Sequence, residues 1–432
     1  MEPAVATKRR VSLKFFMLNA RFQVRDVGCS GMKAGKIEME SGGSCQYQYI
    51  KLDHYYFCLQ QSPIIFAWLL FCKREDLLTI QPWLKKNLAP WTLSYFRYHW
   101  KMFMRNVWHI SIFVRCRLGL RDNVQTVRLP VYGQFGMAVH KGYKIFNLRS
   151  GLATKIFDSD VNQSSIVREI EQLKKVSQID FAPSLTRWDL AERWYQEEYI
   201  RSNIPLAHRS PDSVTFLKAF YQEVVPCMNS LMVFQPPEAK DLMVCLKELM
   251  GIPEIKRLST EELTGSEFKK IKSFLDSMVE CLRVEGNILV NLVFTHGDFC
   301  PANMLNTRQG IKFIDWESAG YRSALFDFYS YFFYRIVSSK HSVENVVSEV
   351  NEGLPNFISG VAMKMPEIAY SLSHFEKVYR WMYYVEEVCK GLERERTDKN
   401  LNILEDILKY IEAFNRYEEI LVDKEQSVKC VE

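Results

Sequence analysis

The sequence lacks the long apolar runs and leader patterns that mark membrane-spanning and secreted proteins. Its longest uninterrupted apolar stretch is residues 64–72, and nine residues are far fewer than the roughly 20 that a membrane-spanning helix needs. The apolar residues near the N-terminus are interrupted by Lys14, Asn19 and Arg21, which disfavours a secretory signal. We therefore expect a cytoplasmic protein.

The sequence also has no paired cysteines and little net charge. Its 11 cysteines include no Cys-x-x-Cys pair and no zinc-ligand spacing, so we expect reduced thiols. A net charge of +5 over 432 residues is too small to indicate nucleic-acid binding. With 47% hydrophobic and 25% charged residues and no internal repeat, the chain is expected to be globular, with two or three domains.

Three regions differ in their residue patterns. Residues 1–130 form an N-terminal extension of unknown function, which mixes strand-like pieces with a basic aromatic stretch. Residues 131–205 indicate a small β-rich lobe, and residues 206–432 are mostly helical. Strands are predicted at 143–148, 152–157 and 194–200, and a helix at 164–176.

The last region has clear helix signals around one strand. Ser210 and Pro211 are typical of a helix start. Residues 266–284 carry apolar side chains on one face, which predicts an amphipathic helix, and residues 366–425 are helical in pattern. The apolar residues 288–294 between them indicate a strand.

Residues 294–317, FTHGDFCPANMLNTRQGIKFIDWE, carry the strongest chemical signal. Asp298 lies on a loop after an apolar strand, and Asn303 follows five residues later. A tight turn at 306–310 leads into a short strand that ends at Asp315. Asn303 and Asp315 can therefore converge on one cation, and Asp298 is free to accept a proton from an attacking hydroxyl.

These are the groups that phosphoryl transfer requires. Because negative charge spreads over the phosphoryl oxygens in the transition state, the protein must position a cation and orient the nucleophile. Magnesium takes hard oxygen ligands, such as one or two carboxylate or amide groups together with phosphate oxygens and water.

The pattern His296-x-Asp298-x-x-x-x-Asn303 followed by Asp315 resembles the catalytic and metal loops of kinase-like enzymes. The segments HGDFCPANM and IDWE are similar to motifs of the aminoglycoside phosphotransferase and choline kinase superfamily. The resemblance covers about 131–340. It implies an α+β, protein-kinase-like fold with a small β-rich N-lobe and a larger helical C-lobe, preceded here by an extra N-terminal region. It also implies ATP and Mg²⁺ as cofactors, Asp298 as the catalytic base, and Asn303 and Asp315 as metal ligands.

The resemblance extends to the nucleotide side. Lys155 occupies the place of the strand lysine that pairs with the α- and β-phosphates, and Glu169 resembles the partner that holds this lysine. Glu171 is an alternative partner on a different helix face, and we prefer Glu169. No Gly-x-Gly-x-x-Gly loop precedes Lys155, and the corresponding turn at 140–142 is short.

The strand at 194–200 resembles the one that enters the hinge between the lobes. The resemblance therefore implies that backbone groups near Glu198, Tyr199 and Ile200 face the adenine of ATP.

Several departures from protein kinases indicate a small acceptor. Cys300 stands where protein serine/threonine kinases usually carry a lysine, and Trp316 and Glu317 replace the Phe-Gly that follows the metal-binding aspartate. About ten residues separate Glu317 from Asp327, which leaves no room for an activation loop. We interpret Asp327 as a structural brace for the catalytic loop.

Two further groups have alternative interpretations. His296 could be a base, but orienting the loop backbone is favoured. Aromatic residues beside carboxylates near the C-terminus could hold an amine or a sugar ring, although packing in a helical core is favoured. These residues are Tyr379, Trp381, Tyr383, Tyr384, Glu386 and Glu387.

Residues 81–121 are basic and aromatic and contain no acidic residue. Such a segment is typical of helices on anionic membrane surfaces, whereas stacking on nucleic acid is less favoured. Packing of the aromatics against the kinase-like lobes is the third interpretation and stays open. The basic residues are Lys85, Lys86, Arg97, Lys101, Arg105, Arg115, Arg117 and Arg121, and the aromatics include Trp83, Trp91, Phe96, Trp100, Phe103 and Trp108.

Together these patterns predict an ATP- and magnesium-dependent phosphotransferase that acts on a hydroxyl of a small molecule. The acceptor classes that we consider are sugars, amino alcohols and lipid-linked glycans, and peripheral membrane association is open. The alternative is a nucleotide-binding pseudokinase or a membrane-associated scaffold.

Overall fold

The computed structural model describes residues 46–72, 93–120, 124–139, 141–201, 213–258, 265–339, 341–397 and 403–429. The chain divides into two units, Met1–Cys45 and Gln46–Glu432, and all described residues belong to the second. Part of the predicted extension and the predicted helix start lie outside the described residues. These residues include Trp83, Lys85, Lys86, Trp91, Arg121, Ser210 and Pro211.

An eight-stranded antiparallel sheet forms the β-rich lobe, in the order β3-β1-β2-β4-β5-β6-β8-β7. The three strands predicted in this lobe are confirmed as β5, β6 and β8. β1, β2 and β3 come from before residue 131, so the sheet extends across the predicted boundary at residue 130. The strands are β1 Tyr47–Leu52, β2 Tyr55–Cys58, β3 Thr126–Leu129, β4 Phe135–Val139, β5 Gly142–Asn147, β6 Leu152–Phe157, β7 Leu185–Asp189 and β8 Trp194–Glu198.

Three helices accompany this sheet: α1 Pro63–Cys72, α2 Leu93–Arg117 and α3 Gln163–Val176. The rings of Phe66 on α1 and Phe113 on α2 stack with centroids 4.2 Å apart, in a cluster that includes residues of β1, β2 and β4. The predicted helix at 164–176 is confirmed as α3, whose apolar stripe is buried and whose first turn is capped by a side chain.

The second lobe is mainly helical. The predicted helix at 266–284 is confirmed, and the predicted helical tail consists of three helices, α11 to α13. The helices are α4 Ser213–Ala219, α5 Val225–Met232, α6 Leu242–Met250, α7 Pro253–Leu258, α8 Ser266–Val284, α9 Phe326–Ser339, α10 Val343–Ala362, α11 Pro366–His374, α12 Glu376–Thr397 and α13 Ile403–Lys429, with a π-helical turn at Phe220–Val224 between α4 and α5.

Short strands in this lobe carry the loops of chemical interest. A three-stranded sheet has the order β13-β10-β9, and β11 and β12 form a separate hairpin. The predicted strand at 288–294 is confirmed as β10. The strands are β9 Glu238–Asp241, β10 Leu289–Thr295, β11 Met304–Thr307, β12 Gly310–Phe313 and β13 Gly320–Ser323.

The core of this lobe is built around α9, which is apolar on most of its circumference and therefore packs centrally. The side chains of Tyr379, Tyr383 and Tyr384 on α12 are fully buried, and Trp381 is 9% exposed. The favoured interpretation of these aromatics as core residues is confirmed.

The architecture is α+β, with a β-rich N-lobe and a larger helical C-lobe, as the sequence predicted. Across the described part of the chain, every helix is too short or too polar to cross a bilayer.

Candidate active site

The candidate catalytic loop, residues 296–303, begins where β10 ends, and Asp327 of α9 holds its first residues. One carboxylate oxygen of Asp327 accepts from the His296 amide at 2.7 Å, and the other accepts from the Gly297 amide at 3.0 Å. Gly297 has a φ of 78°, and a Cβ atom there would lie 2.1 Å from the Ser318 carbonyl oxygen, so a side chain does not fit. Asp327 braces the loop, as its interpretation predicted.

The His296 ring links the catalytic loop to the metal loop. Its Nδ1 accepts from the Asp298 amide at 3.2 Å, and its Nε2 lies 3.1 Å from the Ile314 carbonyl oxygen. Burial lowers the pKa of His296 to about 4, so the ring is neutral near pH 7. A neutral ring protonated on Nε2 satisfies both contacts, which favours the orienting role over that of a base.

Asp298 and Asn303 contact each other directly. The Asn303 side-chain amide donates to Asp298 Oδ2 at 2.8 Å and to the Asp298 carbonyl oxygen at 3.0 Å. Since the nitrogen of this amide is occupied, its oxygen is the end that can bind a cation. The Asp298 side chain is 35% exposed, which leaves the carboxylate accessible to an acceptor hydroxyl.

Asp315 follows β12 in a left-handed backbone conformation, with φ 69° and ψ 58°. This conformation costs a residue with a side chain about 1–2 kcal/mol, so the surrounding contacts must hold it. Burial and the nearby carboxylates of Glu317 and Asp298 raise the pKa of Asp315 to about 6, although Lys155 acts in the opposite direction. Such crowding of negative charge is what a divalent cation would relieve.

The donor set suits magnesium better than a transition metal. Within the described residues, no group of three or more His, Cys, Asp or Glu side chains could hold a metal ion. Asn303 and Asp315 offer one amide and one carboxylate oxygen. Magnesium commonly binds to few protein ligands and completes its octahedron with phosphate oxygens and water, so these two residues fit it.

Lys155 on β6 pairs with two carboxylates. Its Nζ lies 2.6 Å from Glu169 Oε1 on α3 and 3.2 Å from Glu317 Oε2. Burial alone would lower the pKa of Lys155, but the charges of Glu169 and Glu317 outweigh it and raise the pKa. Glu171 instead pairs with Lys174 on the exposed face of α3.

Other charged groups around Lys155 were missed by the sequence reasoning. Lys144 lies opposite Lys155 in the β5–β6 register, and its Nζ lies 2.5 Å from Glu197 Oε1. Lys141, in the turn between β4 and β5, lies 3.8 Å from Glu317. The spacing of Lys141 and Lys144 in the sequence could have indicated a basic surface near Lys155. It does not identify the acidic residues that they contact.

In the segment Glu198 to Ile200, which resembles a kinase hinge, two backbone amides donate to carbonyl groups of the same lobe. The Glu198 amide donates to the Ser184 carbonyl at 2.9 Å, and the Tyr199 amide donates to the Gly151 carbonyl at 2.8 Å. These two amides are therefore not available to an adenine. Ile200 is buried at the end of this segment.

Lys390 on α12 is a further residue that the sequence did not indicate. It is 8% exposed, and its Nζ lies 3.1 Å from the Gly297 carbonyl, 2.7 Å from Glu387 Oε2 and 3.8 Å from Asp298 Oδ1. Because 92 residues separate it from Asp298, no local pattern could have found it.

A cavity of about 80 Å³ lies beside Lys390, where α12 faces α13. A wider cavity of about 440 Å³, between α4 and α10, includes none of the predicted site residues, so cavity size does not mark the chemistry. The smaller cavity is lined by residues that include Glu387, Lys390, Arg394, Ile403 and Tyr410.

Residues 256–347 match the sequence model of the phosphotransferase enzyme family, and this segment contains Asp298, Asn303 and Asp315. The predicted resemblance to the aminoglycoside phosphotransferase and choline kinase superfamily is confirmed over that segment. The match agrees with the predicted enzyme class, a phosphotransferase, over these residues.

Solved structures similar to this chain include choline kinases and aminoglycoside phosphotransferases. A choline kinase of Streptococcus pneumoniae shares 15% identity over 66% of this chain and 93% of its own, with a TM-score of 0.44. A choline kinase of Cryptosporidium parvum shares 17% identity over 67% and 87%, with a TM-score of 0.45. An aminoglycoside phosphotransferase of Streptomyces rimosus shares 14% over 58% and 91%, with a TM-score of 0.38. No curated protein matches the sequence.

Proposed function

We propose that this protein is a small-molecule kinase that transfers the γ-phosphoryl group of ATP to a hydroxyl of a small acceptor, with the help of magnesium. The observation that carries the proposal is the junction of two loops, where the Asp298–Asn303 pair and Asp315 are linked through the ring of His296. Phosphoryl transfer depends mainly on positioning and charge stabilisation, and this junction provides both.

Asp298 is the proposed base. Its carboxylate accepts the proton of the acceptor hydroxyl while the hydroxyl oxygen bonds to the γ-phosphorus. The bond from the γ-phosphorus to the bridging oxygen breaks, and ADP leaves with that electron pair. The Asn303 amide keeps one carboxylate oxygen of Asp298 in a fixed direction, because it donates to Oδ2.

Asn303 and Asp315 are the proposed magnesium ligands. Bound there, the ion would neutralise charge on the phosphates. The raised pKa of Asp315 supports this, since burial and the carboxylates of Glu317 and Asp298 outweigh the opposing charges of Lys155 and Lys144.

Lys155 is proposed to contact the phosphates of ATP, with Glu169 fixing its direction. Its second partner, Glu317, is at the longer distance of 3.2 Å, so the phosphates can compete with Glu317 while the Glu169 contact persists. Carbonyl groups of Glu198 and Tyr199, together with Ile200, are proposed to line the adenine site.

Lys390 is proposed as a positioning residue for the base. Its hydrogen bond to the Gly297 carbonyl fixes the residue before Asp298, and its charge lies 3.8 Å from the Asp298 carboxylate. A cation contributed by α12 is therefore present beside a catalytic loop that carries Cys300 instead of the usual lysine.

The acceptor is proposed to be small and polar. Few residues separate the metal loop from α9, so the segment between them is too short to cover the proposed base. The cavity beside Lys390 has acidic, basic and aromatic lining residues, and this chemistry suits a polar group of a sugar, an amino alcohol or the sugar of a lipid-linked glycan.

The test is an ADP-release assay with ATP and Mg²⁺ over a panel of sugars, amino alcohols and aminoglycosides. We expect one class to stimulate ADP release, and Asp298→Ala to lower kcat by about 10²–10⁴-fold, the usual contribution of a general base. An Asp298→Ala variant that turns over like the wild type would contradict the proposed role.

The alternative is a nucleotide-binding protein without transfer activity, or a scaffold. It is motivated by the short turn between β4 and β5, which offers few backbone amides to the phosphates. A thermal shift with ATP and Mg²⁺ but no ADP release with any acceptor would favour this alternative.

A further inference from the structure

We propose that α2 docks the protein on an anionic lipid surface through its outer face, defined as Trp100, Phe103, Met104, Val107 and Trp108. These residues follow one another at intervals of three, one, three and one, so they lie on one side of the helix. The proposal is independent of the phosphotransfer chemistry.

The opposite side of α2 is already packed. The Asn106 side chain donates to the Leu70 carbonyl of α1 at 3.3 Å, and Phe113 stacks on Phe66. His109 is buried and lies 3.7 Å from Asp53. Phe113 is therefore an aromatic residue of the stretch that packs against the lobe, whereas Trp100, Phe103 and Trp108 lie on the outer face.

The outer face is exposed to an unusual degree for large apolar side chains. Trp108 is 61% and Trp100 is 56% exposed, and the other three are between 41% and 47% exposed. Single exposed apolar residues are normal on a protein surface, whereas a contiguous stripe of five indicates an interaction site. The stripe contains two tryptophans, which favour the boundary between lipid headgroups and acyl chains.

The charge around the stripe selects anionic lipid as the partner. The 25-residue helix contains five Lys or Arg residues and no Asp or Glu. Lys101 and Arg105 are exposed and lie next to outer-face residues in sequence. Arg105 also pairs with Asp53, and Arg117 donates to the Gln61 carbonyl, so one acidic side chain offsets part of the charge and the helix stays net positive.

An amphipathic helix of this kind binds through both its apolar area and its charge. The neighbouring α1 carries no charged residue and exposes Ile64 at 80% and Trp68 at 42%, which adds apolar surface to the same part of the lobe. Nucleic acid and a second copy of the chain are the competing occupants.

The experiment is vesicle flotation of the full chain with phosphatidylcholine alone and with phosphatidylcholine mixed with phosphatidylglycerol. We expect the wild type to float with the anionic vesicles and to detach as salt is raised. Trp100→Ser/Trp108→Ser is expected to reduce the bound fraction by about tenfold or more, since both apolar anchors are lost.

The matched control is Met363→Ser/Tyr370→Ser, which removes two apolar side chains that are 83% and 70% exposed on the helical lobe. We expect this control, and Asp298→Ala, to float like the wild type. Equal melting temperatures of all variants would exclude loss of folding as the cause, since every substituted side chain except Asp298 is largely exposed.

Four results would overturn the proposal. They are absence of flotation of the wild type, equal flotation with neutral and anionic vesicles, and an outer-face variant that floats like the wild type. The fourth is a chain that binds no vesicle but forms a dimer, or binds a single-stranded oligonucleotide, through the same tryptophans. ADP release is measured separately, so failure of docking leaves the proposed phosphotransfer untouched.

Discussion

Different kinds of contact hold the loop that carries Asp298 and the side chain of Lys155. Hydrogen bonds to the backbone fix the loop from three directions, through Asp327, the His296 ring and Lys390. Lys155 is held by ion pairs between side chains, with Glu169 and Glu317. Backbone hydrogen bonds fix a position closely, whereas ion pairs can exchange one anion for another.

This difference indicates separate roles for the helical lobe, which carries Asp298, and the β-rich lobe, which carries Lys155. The proposed base, Asp298, is held in place by these hydrogen bonds without a substrate, while Lys155 can exchange the Glu317 carboxylate for a phosphate. An arrangement of this type places little reorganisation at the base during the chemical step.

The largest expected effect is at Asp315, because the charges of both Asp298 and Lys155 act on its carboxylate. Asp315→Ala should lower transfer by about 10³-fold or more and weaken the thermal shift caused by Mg²⁺ and ATP, because a metal ligand is lost. The control is Asp276→Ala on the exposed face of α8, which should behave like the wild type. An Asp315→Ala variant with a normal magnesium-dependent shift would remove Asp315 from the metal site.

Lys155→Met tests the ion-paired side and should lower kcat/KM for ATP by about 10²-fold, since a positive charge on the phosphates is removed. Glu169→Gln should show a smaller loss in the same direction. Glu171→Gln is the matched control on the same helix, because Glu171 contacts Lys174 on the exposed face. Equal losses for the Glu169 and Glu171 variants would show that the Lys155–Glu169 pair has no special role.

Lys390→Met tests the hydrogen-bonded side and should lower kcat by about tenfold, with little change in the KM for ATP. The informative variant is Lys390→Met/Glu387→Gln, which removes both members of the ion pair. We expect the double variant to regain the stability that Lys390→Met loses. Its kcat should stay as low as that of Lys390→Met. Recovery of kcat in the double variant would mean that Lys390 only neutralises Glu387.

The last prediction concerns stability rather than turnover and involves Glu386, which supports β13 through hydrogen bonds from the Ser323 amide and hydroxyl. Burial, with a further contribution from Glu387, raises the pKa of Glu386 to about 7. The hydrogen bonds from Ser323 and the charge of Arg322 act in the opposite direction. The folded protein therefore takes up this proton at a higher pH than the unfolded chain does.

The Glu386 contribution to stability should thus be lost as pH rises from about 4.5 to about 7, by at most about 3 kcal/mol. Glu386→Gln should make the free energy of unfolding less dependent on pH between those limits, as measured by urea unfolding at several pH values. An unchanged pH dependence would show that Glu386 does not titrate in this range.

The sequence predicted the elements whose signals are local. The helix at 266–284 and the strand at 152–157 follow from periodicity, and they were found with the same bounds. The segment 294–317 was interpretable because its few chemical groups lie at fixed short spacings around one hairpin. We preferred Glu169 over Glu171 as the partner of Lys155, and the two glutamates lie on different faces of the helix. In the structure the face with Glu169 is the one that contacts Lys155.

Contacts between distant parts of the chain could not be predicted in this way. β1 pairs with β3, so Tyr47 lies opposite Leu129, and nothing in either short strand specifies the other. The same holds for Lys390 beside Asp298 and for the pairing of Lys144 with Glu197. Each depends on the assembled lobes rather than on the spacing of neighbouring residues.

The continuation of the sheet past residue 130 has a practical consequence. A shortened chain that began at residue 131 would lose β1, β2 and β3, and would turn β4 from an interior strand into an open edge. Its unpaired amide and carbonyl groups would be available to strands of other molecules, which promotes aggregation. Expression of the kinase-like part is therefore expected to require the strands at Tyr47–Cys58 and Thr126–Leu129 as well.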